Sequence, residues 1–253
     1  MTTRRVEFES KKGHQLSGLL DTPDDGEVRA YALFAHCFTC GKSLTAVKRL
    51  SRAMTDDGFG VLRFDFTGLG ESEGAFESTS FTTNLDDLEA ASYFLAQEYE
   101  PPRALIGHSL GCAAALAVAS RISSVRFVAV IGAPAEPTHV RRLITTGDEQ
   151  ADETIEVSIG GRPFLIGADF LADLERHDLR AAVGDLDRPL LILHGPLDRI
   201  VGIEHAERLY TAAKHPKSFV SLGEADHLVS REPDALFMGH VIAAFAERYA
   251  TTP

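Results

Sequence analysis

A serine in a tight turn is the first candidate for chemistry in this sequence. Residues 104–111 read ALIGHSLG, so Ser109 stands in a G-x-S-x-G pattern between a strand-like apolar run and a helix-like run of small residues. A sharp strand-to-helix turn strains the serine backbone, and Gly107 and Gly111 would let neighbouring elements approach it closely. Two glycines can also flank a buried turn serine by chance. Because strand, motif and helix are in register, we predict that Ser109 is a nucleophile.

A serine nucleophile needs a base that takes its proton and an acid that orients the base. Residues 218–229 read SFVSLGEADHLV and place His227 in a loop after an apolar strand. Neutral imidazole, with an unperturbed pKa of about 6.5, can take a serine proton near neutral pH. Asp198 lies in HGPLDRIV, after the preceding strand, where the sites of open α/β sheets collect. We therefore predict a catalytic triad of Ser109, Asp198 and His227, in that chain order.

Other side chains compete for the roles of base and acid. Ten histidines occur in the chain, and the rivals of the chosen base are His194, His205, His215 and His240. One ends a strand and the others fall in or beside helices, so a structural role is their default. Asp226 adjoins His227 and would struggle to bend onto the neighbouring ring, whereas Glu136 follows an earlier strand. We place Asp198 first and Glu136 second as the acid.

Two main-chain N–H groups are expected to stabilise the oxyanion that forms when a serine attacks a carbonyl. Leu110 should begin the helix after the nucleophile, where an unpaired donor and the helix dipole coincide. The second donor should lie in HCFTCGKS, after the strand at 31–36, and we choose Phe38. The predicted oxyanion hole is therefore formed by the backbone N–H groups of Phe38 and Leu110.

Two further motifs suggest chemistry that the rest of the sequence does not support. Cys37 and Cys40 form one C-x-x-C pair, but no second ligand cluster accompanies them, so we predict no metal site. The segment DFTGLGESEG at 65–74 resembles a phosphate loop but lacks the Gly-Lys-Ser/Thr ending and an acidic ribose partner. We predict a tight surface loop near the mouth of the site, and no cofactor.

Short apolar runs alternate with helix-like stretches, a pattern that predicts a mostly parallel sheet covered on both faces. Eight strands are predicted, the first two as an antiparallel pair: 6–9, 15–20, 31–36, 61–66, 104–107, 127–131, 190–194 and 218–222. Helices are predicted at 44–57, 84–98, 112–120, 203–213 and 233–249. The interval 134–188 is too long for one crossover, so we expect a small inserted cap there. Within it we expect a hairpin over 156–166 and a helix over 169–176.

The whole chain bounds the class of protein. Its 253 residues are interpreted as one domain over 1–253. A net charge of -12 would repel phosphate backbones and anionic lipid, so we expect neither nucleic acid nor a membrane as partner. Three cysteines fit a reducing compartment, and we expect a cytoplasmic protein without a disulfide that staples the fold. The oligomeric state does not follow from these features.

Six segments, taken together, resemble the α/β-hydrolases that occur alone or fused to an OsmC-like domain. They are AHCFTCGKS, VLRFDFTGLGESEG, LIGHSLG, IGAP, HGPLD and HPKSFVSLGEADHL, and they span most of the chain. The resemblance implies the α/β-hydrolase fold and hydrolysis of an ester through an acyl-enzyme, without a cofactor. Because the sequence stops at Pro253 after one apparent C-terminal helix, we expect no OsmC-like domain and assume no peroxidase cysteine.

The substrate is less constrained than the mechanism. A modest cap and no obvious long apolar channel favour small acyl esters. Thioester hydrolysis, acyl transfer and peptide cleavage stay open, because fold and triad do not set the substrate. Haloalkane dehalogenation is disfavoured, since it would need an aspartate at position 109. From a different class, an inactive scaffold could bind a small ligand, but all three triad residue types are retained.

Overall fold

The computed structural model describes residues 1–37, 41–136, 145–146, 154–159 and 162–250. Its strands, in chain order, are β1 Thr2–Glu9, β2 Gln15–Thr22, β3 Ala30–Ala35, β4 Phe59–Phe64, β5 Ala104–His108, β6 Phe127–Ile131, β7 Thr145–Thr146, β8 Thr154–Ile159, β9 Arg162–Gly167, β10 Leu190–His194 and β11 Lys217–Ser221. Its helices are α1 Thr45–Asp56, α2 Phe81–Glu98, α3 Leu110–Val118, α4 Ala168–Glu175, α5 Leu179–Gly184, α6 Glu204–Ala212 and α7 Glu232–Tyr249, with a short 3₁₀ turn at Phe76–Ser78.

Eight of these strands form one sheet in the order β1-β2-β4-β3-β5-β6-β10-β11. The pairs β1-β2 and β2-β4 are antiparallel, and all other neighbours in the sheet are parallel. Every residue of β3, β4, β5, β6 and β10 is buried, which explains their nearly continuous apolar sequences. The predicted eight-stranded, mostly parallel sheet is confirmed.

Helices cover both faces of this sheet, as predicted. On one face, the apolar sides of α2 and α3 pack through residues such as Leu85, Leu88 and Ala114. On the other face, α1 and α7 pack together and onto the sheet through residues such as Leu50 and Ile242. The parallel strands lie between these two cores, and the loops of the site follow the carboxyl ends of these strands.

Several element boundaries differ from the prediction, and two of the differences have a local explanation. Helix α2 begins three residues early, because the Ser80 hydroxyl accepts the N–H of Thr83 and the Thr83 hydroxyl accepts the N–H of Ser80. This capping box was missed because threonine stands where glutamate or glutamine is usual. Strand β4 ends at Phe64 rather than Phe66, so Asp65 and Phe66 lie in the loop that follows, where both are still buried.

The predicted cap contains a second, three-stranded sheet in the order β7-β8-β9. Strands β8 and β9 pair antiparallel from Ile159 opposite Arg162, so the predicted hairpin is present, and its Gly160-Gly161 turn lies outside the described residues. Helix α4 matches the predicted helix within one residue, whereas β7 and α5 were not predicted. Phe170 and Leu174 of α4 are buried in the core beside α2.

Cys37 is disulfide-bonded, whereas Cys112 is free and buried. Nothing in the sequence indicated this bond, since the cysteine count predicted only that no disulfide staples the fold. The reason is physical: a small and odd count of cysteines does not decide whether two of them lie close enough to join. Across the described ranges, no helix combines the length and the apolar character needed to span a membrane.

Candidate active site

Ser109 stands between β5 and α3 in the strained backbone conformation that the motif predicts. Its φ is 54° and its ψ is -121°, in a region that costs a non-glycine residue about 1–3 kcal/mol. The Ser109 N–H donates to the carbonyl of Ile131 at 2.9 Å, and its carbonyl accepts the N–H of Cys112 at 3.0 Å. These bonds fix the turn at the end of the sheet.

The two motif glycines are needed because other backbone lies against them. A Cβ on Gly107 would lie 2.5 Å from the Cα of Cys112, within the helix that begins beside it. A Cβ on Gly111 would lie 2.2 Å from the carbonyl oxygen of Ala35, at the end of β3. Any side chain at either position would therefore push α3 away from the strand ends and move Ser109 with it.

Ser109, His227 and Asp198 lie in one hydrogen-bonded line, although 118 and 29 residues separate the successive pairs. The Ser109 hydroxyl is 2.9 Å from Nε2 of His227. On the other side of the ring, Nδ1 of His227 is 2.8 Å from Oδ2 of Asp198. Because a carboxylate only accepts, Nδ1 carries the proton and Nε2 is left to accept the serine proton.

Hydrogen bonds and nearby charge favour the ionised form of the Asp198 carboxylate. Burial alone would raise its pKa, but bonds from His194 and His227, the charge of His227 and the N–H of Val201 together hold the pKa well below the usual range. Its Oδ1 accepts the N–H groups of Ile200 and Val201, each at 2.9 Å. The carboxylate is therefore oriented by its own loop, with Oδ2 directed at the imidazole.

Leu110 is the first residue of α3, so its N–H is one of those that a helix leaves without an intrahelical acceptor. That donor follows the serine directly and matches one half of the predicted oxyanion hole. The other predicted donor, Phe38, lies outside the described residues.

The described residues that flank position 38 are held by buried charged groups. Asp65 accepts the N–H of Lys42 through Oδ1 at 2.7 Å and the Lys42 ammonium through Oδ2. Arg63 donates to the carbonyl of Lys42 and also forms an ion pair with buried Asp21. On the other side, His36 donates from Nδ1 to the carbonyl of Cys37 at 2.7 Å. Both main-chain groups of Lys42 are thus fixed by side chains from the end of β4.

The glycine-rich segment 65–74 folds around the Asp65 carboxylate. A Cβ on Gly70 would lie 2.2 Å from Oδ2 of Asp65, and the N–H of Glu71 donates to the same oxygen at 3.0 Å. The glycines therefore make room for a carboxylate that belongs to the protein. The loop was predicted from its glycines, but the role of Asp65 was not. Its signal in the sequence is a carboxylate directly after an apolar strand.

The rival residues take other partners. His205 accepts the N–H of Ala135, and His240 pairs with Asp57. Glu136, the second choice for the acid, is exposed and pairs with Arg208. Asp226 accepts the N–H and the hydroxyl of Ser230, so its carboxylate turns away from the neighbouring imidazole. His194 lies beside the site, with Nε2 3.5 Å from Oδ2 of Asp198, while His215 precedes a cis-proline.

In the described part of the chain, no group of three or more His, Cys, Asp or Glu side chains has the arrangement needed to hold a metal ion. The groups that the structure places at this site are a hydroxyl, an imidazole with a fixed tautomer, and an amide donor at a helix N-terminus.

The model of the alpha/beta hydrolase family matches residues 32–238 of this sequence. The chain therefore belongs to the alpha/beta hydrolase family, which agrees with its sheet and with the resemblance of its motifs.

Three known proteins are similar to it over most of its length. The esterase domain of a Rhodothermus marinus protein has 52% sequence identity and a TM-score of 0.85, and the match covers 98% of this chain and 99% of that chain. Est1E from Butyrivibrio proteoclasticus, solved with ferulic acid bound, has a TM-score of 0.84 over 98% of this chain and 100% of that chain, but only 18% identity, so it supports the fold alone. The uncharacterized protein YfhR of Escherichia coli O157:H7 is 26% identical over 228 residues, which are 88% of this chain and 72% of YfhR. None of these similarities tests the resemblance to OsmC-fused hydrolases.

Proposed function

We propose that this chain hydrolyses carboxylic esters with short acyl groups, using Ser109, His227 and Asp198 as its catalytic triad. That it is an esterase-type hydrolase follows from its family and from its likeness to the Rhodothermus marinus esterase domain. One observation carries the assignment of residues: the continuous line from the Ser109 hydroxyl through both ring nitrogens of His227 to Asp198, with links of 2.9 and 2.8 Å.

The geometry supports a two-stage reaction. His227 takes the hydroxyl proton as Oγ of Ser109 attacks the ester carbonyl, and the Leu110 N–H, together with that of Phe38, stabilises the oxyanion. The imidazolium then gives its proton to the leaving alcohol, which leaves an acyl-enzyme on Ser109. A water then attacks the acyl carbonyl as His227 takes its proton. When the second oxyanion collapses, the bond between the acyl carbon and Oγ of Ser109 breaks, His227 returns the proton to Oγ, and the acid is released. Asp198 stays ionised and stabilises the imidazolium in both stages.

Preference for small acyl groups is the less constrained part of the proposal. It rests on the modest size of the insertion at 134–188, which we propose is a cap on a single domain spanning 1–253. The packing of Phe170 and Leu174 of α4 in the core beside α2 supports this view of the insertion. We also infer a small-molecule ester as the partner, which the likeness to an esterase domain supports, and the cytoplasm as the location, which the small and odd number of cysteines supports and the disulfide at Cys37 opposes. Thioester hydrolysis, acyl transfer and peptide cleavage would use the same triad, and an inactive ligand-binding scaffold is the alternative of a different class.

The decisive experiment compares the purified protein with its Ser109→Ala variant. Both are incubated with a fluorophosphonate probe, which phosphonylates activated serines, and with p-nitrophenyl acetate. We expect stoichiometric labelling and hydrolysis by the wild type and neither by the variant, while matching circular dichroism spectra exclude a folding defect. Absence of both reactions in the wild type would favour a ligand-binding scaffold, and equal labelling of the two proteins would place the nucleophile elsewhere.

The same assay, run over p-nitrophenyl esters of increasing acyl length, tests the substrate class. We expect kcat/KM to fall from acetate and butyrate to long-chain esters by at least about tenfold, since a hydrophobic pocket gains roughly 1–3 kcal/mol per well-accommodated methylene and loses it when the chain does not fit. Comparable turnover of long-chain and acetyl esters would contradict the preference for short acyl groups and leave the triad assignment intact.

A further inference from the structure

Two of the strands nearest to the acid and base of the site end in a buried histidine. Strands β5 and β10 lie on either side of β6, and their last residues are His108 and His194. The two side chains are only 3% and 0% exposed. Neither side chain is hydrogen-bonded to the Ser109 hydroxyl, whose partner is His227, so the triad proposed above leaves both of them without a function.

Each of these histidines contacts the main chain of a loop that carries one member of the triad. Nε2 of His108 lies 2.7 Å from the carbonyl oxygen of His227 itself. Nε2 of His194 lies 2.8 Å from the carbonyl oxygen of Val201. Val201 is the residue whose N–H donates to Oδ1 of Asp198, so its two main-chain groups join His194 to the carboxylate.

The protonation of these rings follows from their partners. A carbonyl oxygen only accepts, so Nε2 carries the proton in both rings. Burial, and then the nearby His227, lower the pKa of His108 to about 3, so this ring is neutral over the working pH range. Among the described residues, Nδ1 of each ring has no hydrogen-bond partner. Each histidine therefore supplies one directed donor to a loop of the site, and His108 does so without adding charge beside His227.

Both loops have bonds of their own, such as Val229 N–H to the Asp226 carbonyl at 3.0 Å and Asp198 N–H to the Gly195 carbonyl at 3.1 Å. The two histidines add side-chain bonds that tie these loops to the sheet. The loop that carries His227 follows the edge strand β11 and includes Val229 at a φ of 49°, a conformation that a β-branched residue adopts only under constraint. The side chain of His227 is 10% exposed, and the bond from His108 to its main-chain carbonyl fixes the backbone from which this side chain extends. The Asp198 loop is held at its far end by the bond from His194.

We propose that His108 and His194 are positioning residues, which hold the base and the acid of the triad by donating from Nε2 to the main chain of the loops that carry them. The proposal rests on the function proposed above. Both residues act through His227 and Asp198: His108 through the main chain of His227, and His194 through Val201 and through its Nε2, 3.5 Å from Oδ2 of Asp198. Their loss should therefore reduce the rate of the chemical steps and leave substrate binding nearly unchanged.

The test compares two substitutions at each position. Glutamine carries an amide N–H that can occupy the place of ring Nε2, whereas leucine has similar bulk and no donor. We expect His108→Leu and His194→Leu to lower kcat by about 10- to 100-fold, as for a misplacement of roughly 1 Å, with KM within a few-fold of the wild type. The His108→Gln and His194→Gln variants should recover most of the lost kcat. Rates of fluorophosphonate labelling should follow kcat across all four variants.

A second readout does not depend on turnover. The proton between His227 Nδ1 and Asp198 should give a downfield proton NMR resonance in the wild type and in both glutamine variants, and a broadened or lost one in the leucine variants. This readout separates the proposal from the proposed function, because a wild type that lacks esterase activity but shows the resonance contradicts only the function. If a leucine variant fails to fold, the matching glutamine variant still tests the role of the donor.

Three results would overturn the proposal. The first is a folded leucine variant with wild-type kcat and an unchanged proton resonance. The second is a folded glutamine variant as slow as its leucine counterpart. The third is a rise in KM with kcat unchanged, which would place the histidine against the substrate.

Discussion

Gly132 shows how closely the backbone approaches the acid and base of the site. It follows β6 with a φ of +56°, and a Cβ there would lie 3.3 Å from both Oδ2 of Asp198 and Nδ1 of His227. That distance is tight for a methyl group, so a side chain would press on the bond that orients the imidazole. The sequence offers no sign of this role, because the contact joins the end of one strand to loops that follow two others.

We predict that Gly132→Ala lowers kcat about tenfold while KM changes little, since the added methyl group shifts His227 relative to Ser109. The measurement is steady-state hydrolysis of p-nitrophenyl acetate, with fluorophosphonate labelling as a check. Because alanine at positive φ also destabilises the fold, Gly26→Ala is the control: Gly26 has a φ of +79°, and a Cβ there would have nothing within 4 Å. Equal kcat values for the two variants would show that the contact at Gly132 is without consequence.

The three residues that we propose as the triad could be singled out in the sequence because residue type and local context mark them, and the structure brings them together. Ser109 has a motif, and Asp198 and His227 have the loops after successive parallel strands. The two histidines that we propose as positioning residues could not be predicted. His108 and His194 are ordinary strand-end histidines in the sequence, and only the packing of strands against distant loops gives each of them an acceptor.

At the scale of elements, α2 supports the loop that surrounds Asp65. Asp87 of α2 is buried and accepts the N–H of Thr67 at 2.8 Å and its hydroxyl at 2.9 Å. Burial raises the pKa of Asp87 to about 6 from a usual value of 3.8, against the effect of those two bonds. A carboxylate that anchors a loop near the site is therefore held in its less favourable, charged form near neutral pH.

The sign of the resulting pH dependence follows from linkage. Between about pH 4 and pH 6 the folded state binds more protons at this site than the unfolded state, so the free energy of unfolding falls as pH rises through that range. We predict that Asp87→Asn removes this contribution and keeps both contacts to Thr67, since an amide can accept the N–H and donate to the hydroxyl. Above about pH 6.5 the variant should be more stable than the wild type by about 1–3 kcal/mol, with the difference vanishing near pH 4.

Urea denaturation of both proteins across this pH range measures the effect, and the acid transitions of other groups cancel in the difference. A stability difference that does not change with pH would mean that the Asp87 carboxyl titrates normally. Of this arrangement, the sequence predicted the helix but not its first turn. The Ser80–Thr83 capping box and the contact of Asp87 with a loop about 20 residues away depend on pairings that helix periodicity does not record.

At the scale of the whole molecule, the number of sheet strands was predictable but their order was not. The buried strands are marked by nearly continuous apolar residues, whichever neighbours they have. The sheet places β4 between β2 and β3, so its order departs from the order along the chain. The insertion at 134–188 was predicted as a cap from its length and from the break in the alternation of strands and helices, and its role as a cap stays a prediction. The net charge of -12, in contrast, is a property of the whole chain and follows directly from its composition.

Cys112 provides a probe of the stability of this whole assembly. It is the third residue of α3, is completely buried, and its Sγ lies 3.3 Å from both the N–H and the carbonyl of Ile131 in β6. Burial raises the pKa of the Cys112 thiol far above its usual range, so the thiol stays protonated in the native state. Burial also keeps alkylating reagents away from the sulfur. Its neighbours lie at the centre of the sheet, and exposing the sulfur requires α3 to leave β5 and β6.

We predict that iodoacetamide labels Cys112 only through global unfolding. The logarithm of the labelling rate should rise linearly with urea, with the same slope as the equilibrium unfolding curve, because the same surface is exposed in both processes. Mass spectrometry of the peptide that contains Cys112 identifies the labelled site, and Cys112→Ala, which takes no label there, is the control. Labelling that is fast in native buffer, or that does not depend on urea, would show that α3 separates from the sheet in a local opening. In that case the helix that presents the Leu110 donor and follows Ser109 would be among the least stable parts of the molecule. The strained backbone of Ser109 would then be tied to the sheet by its N–H bond to the Ile131 carbonyl.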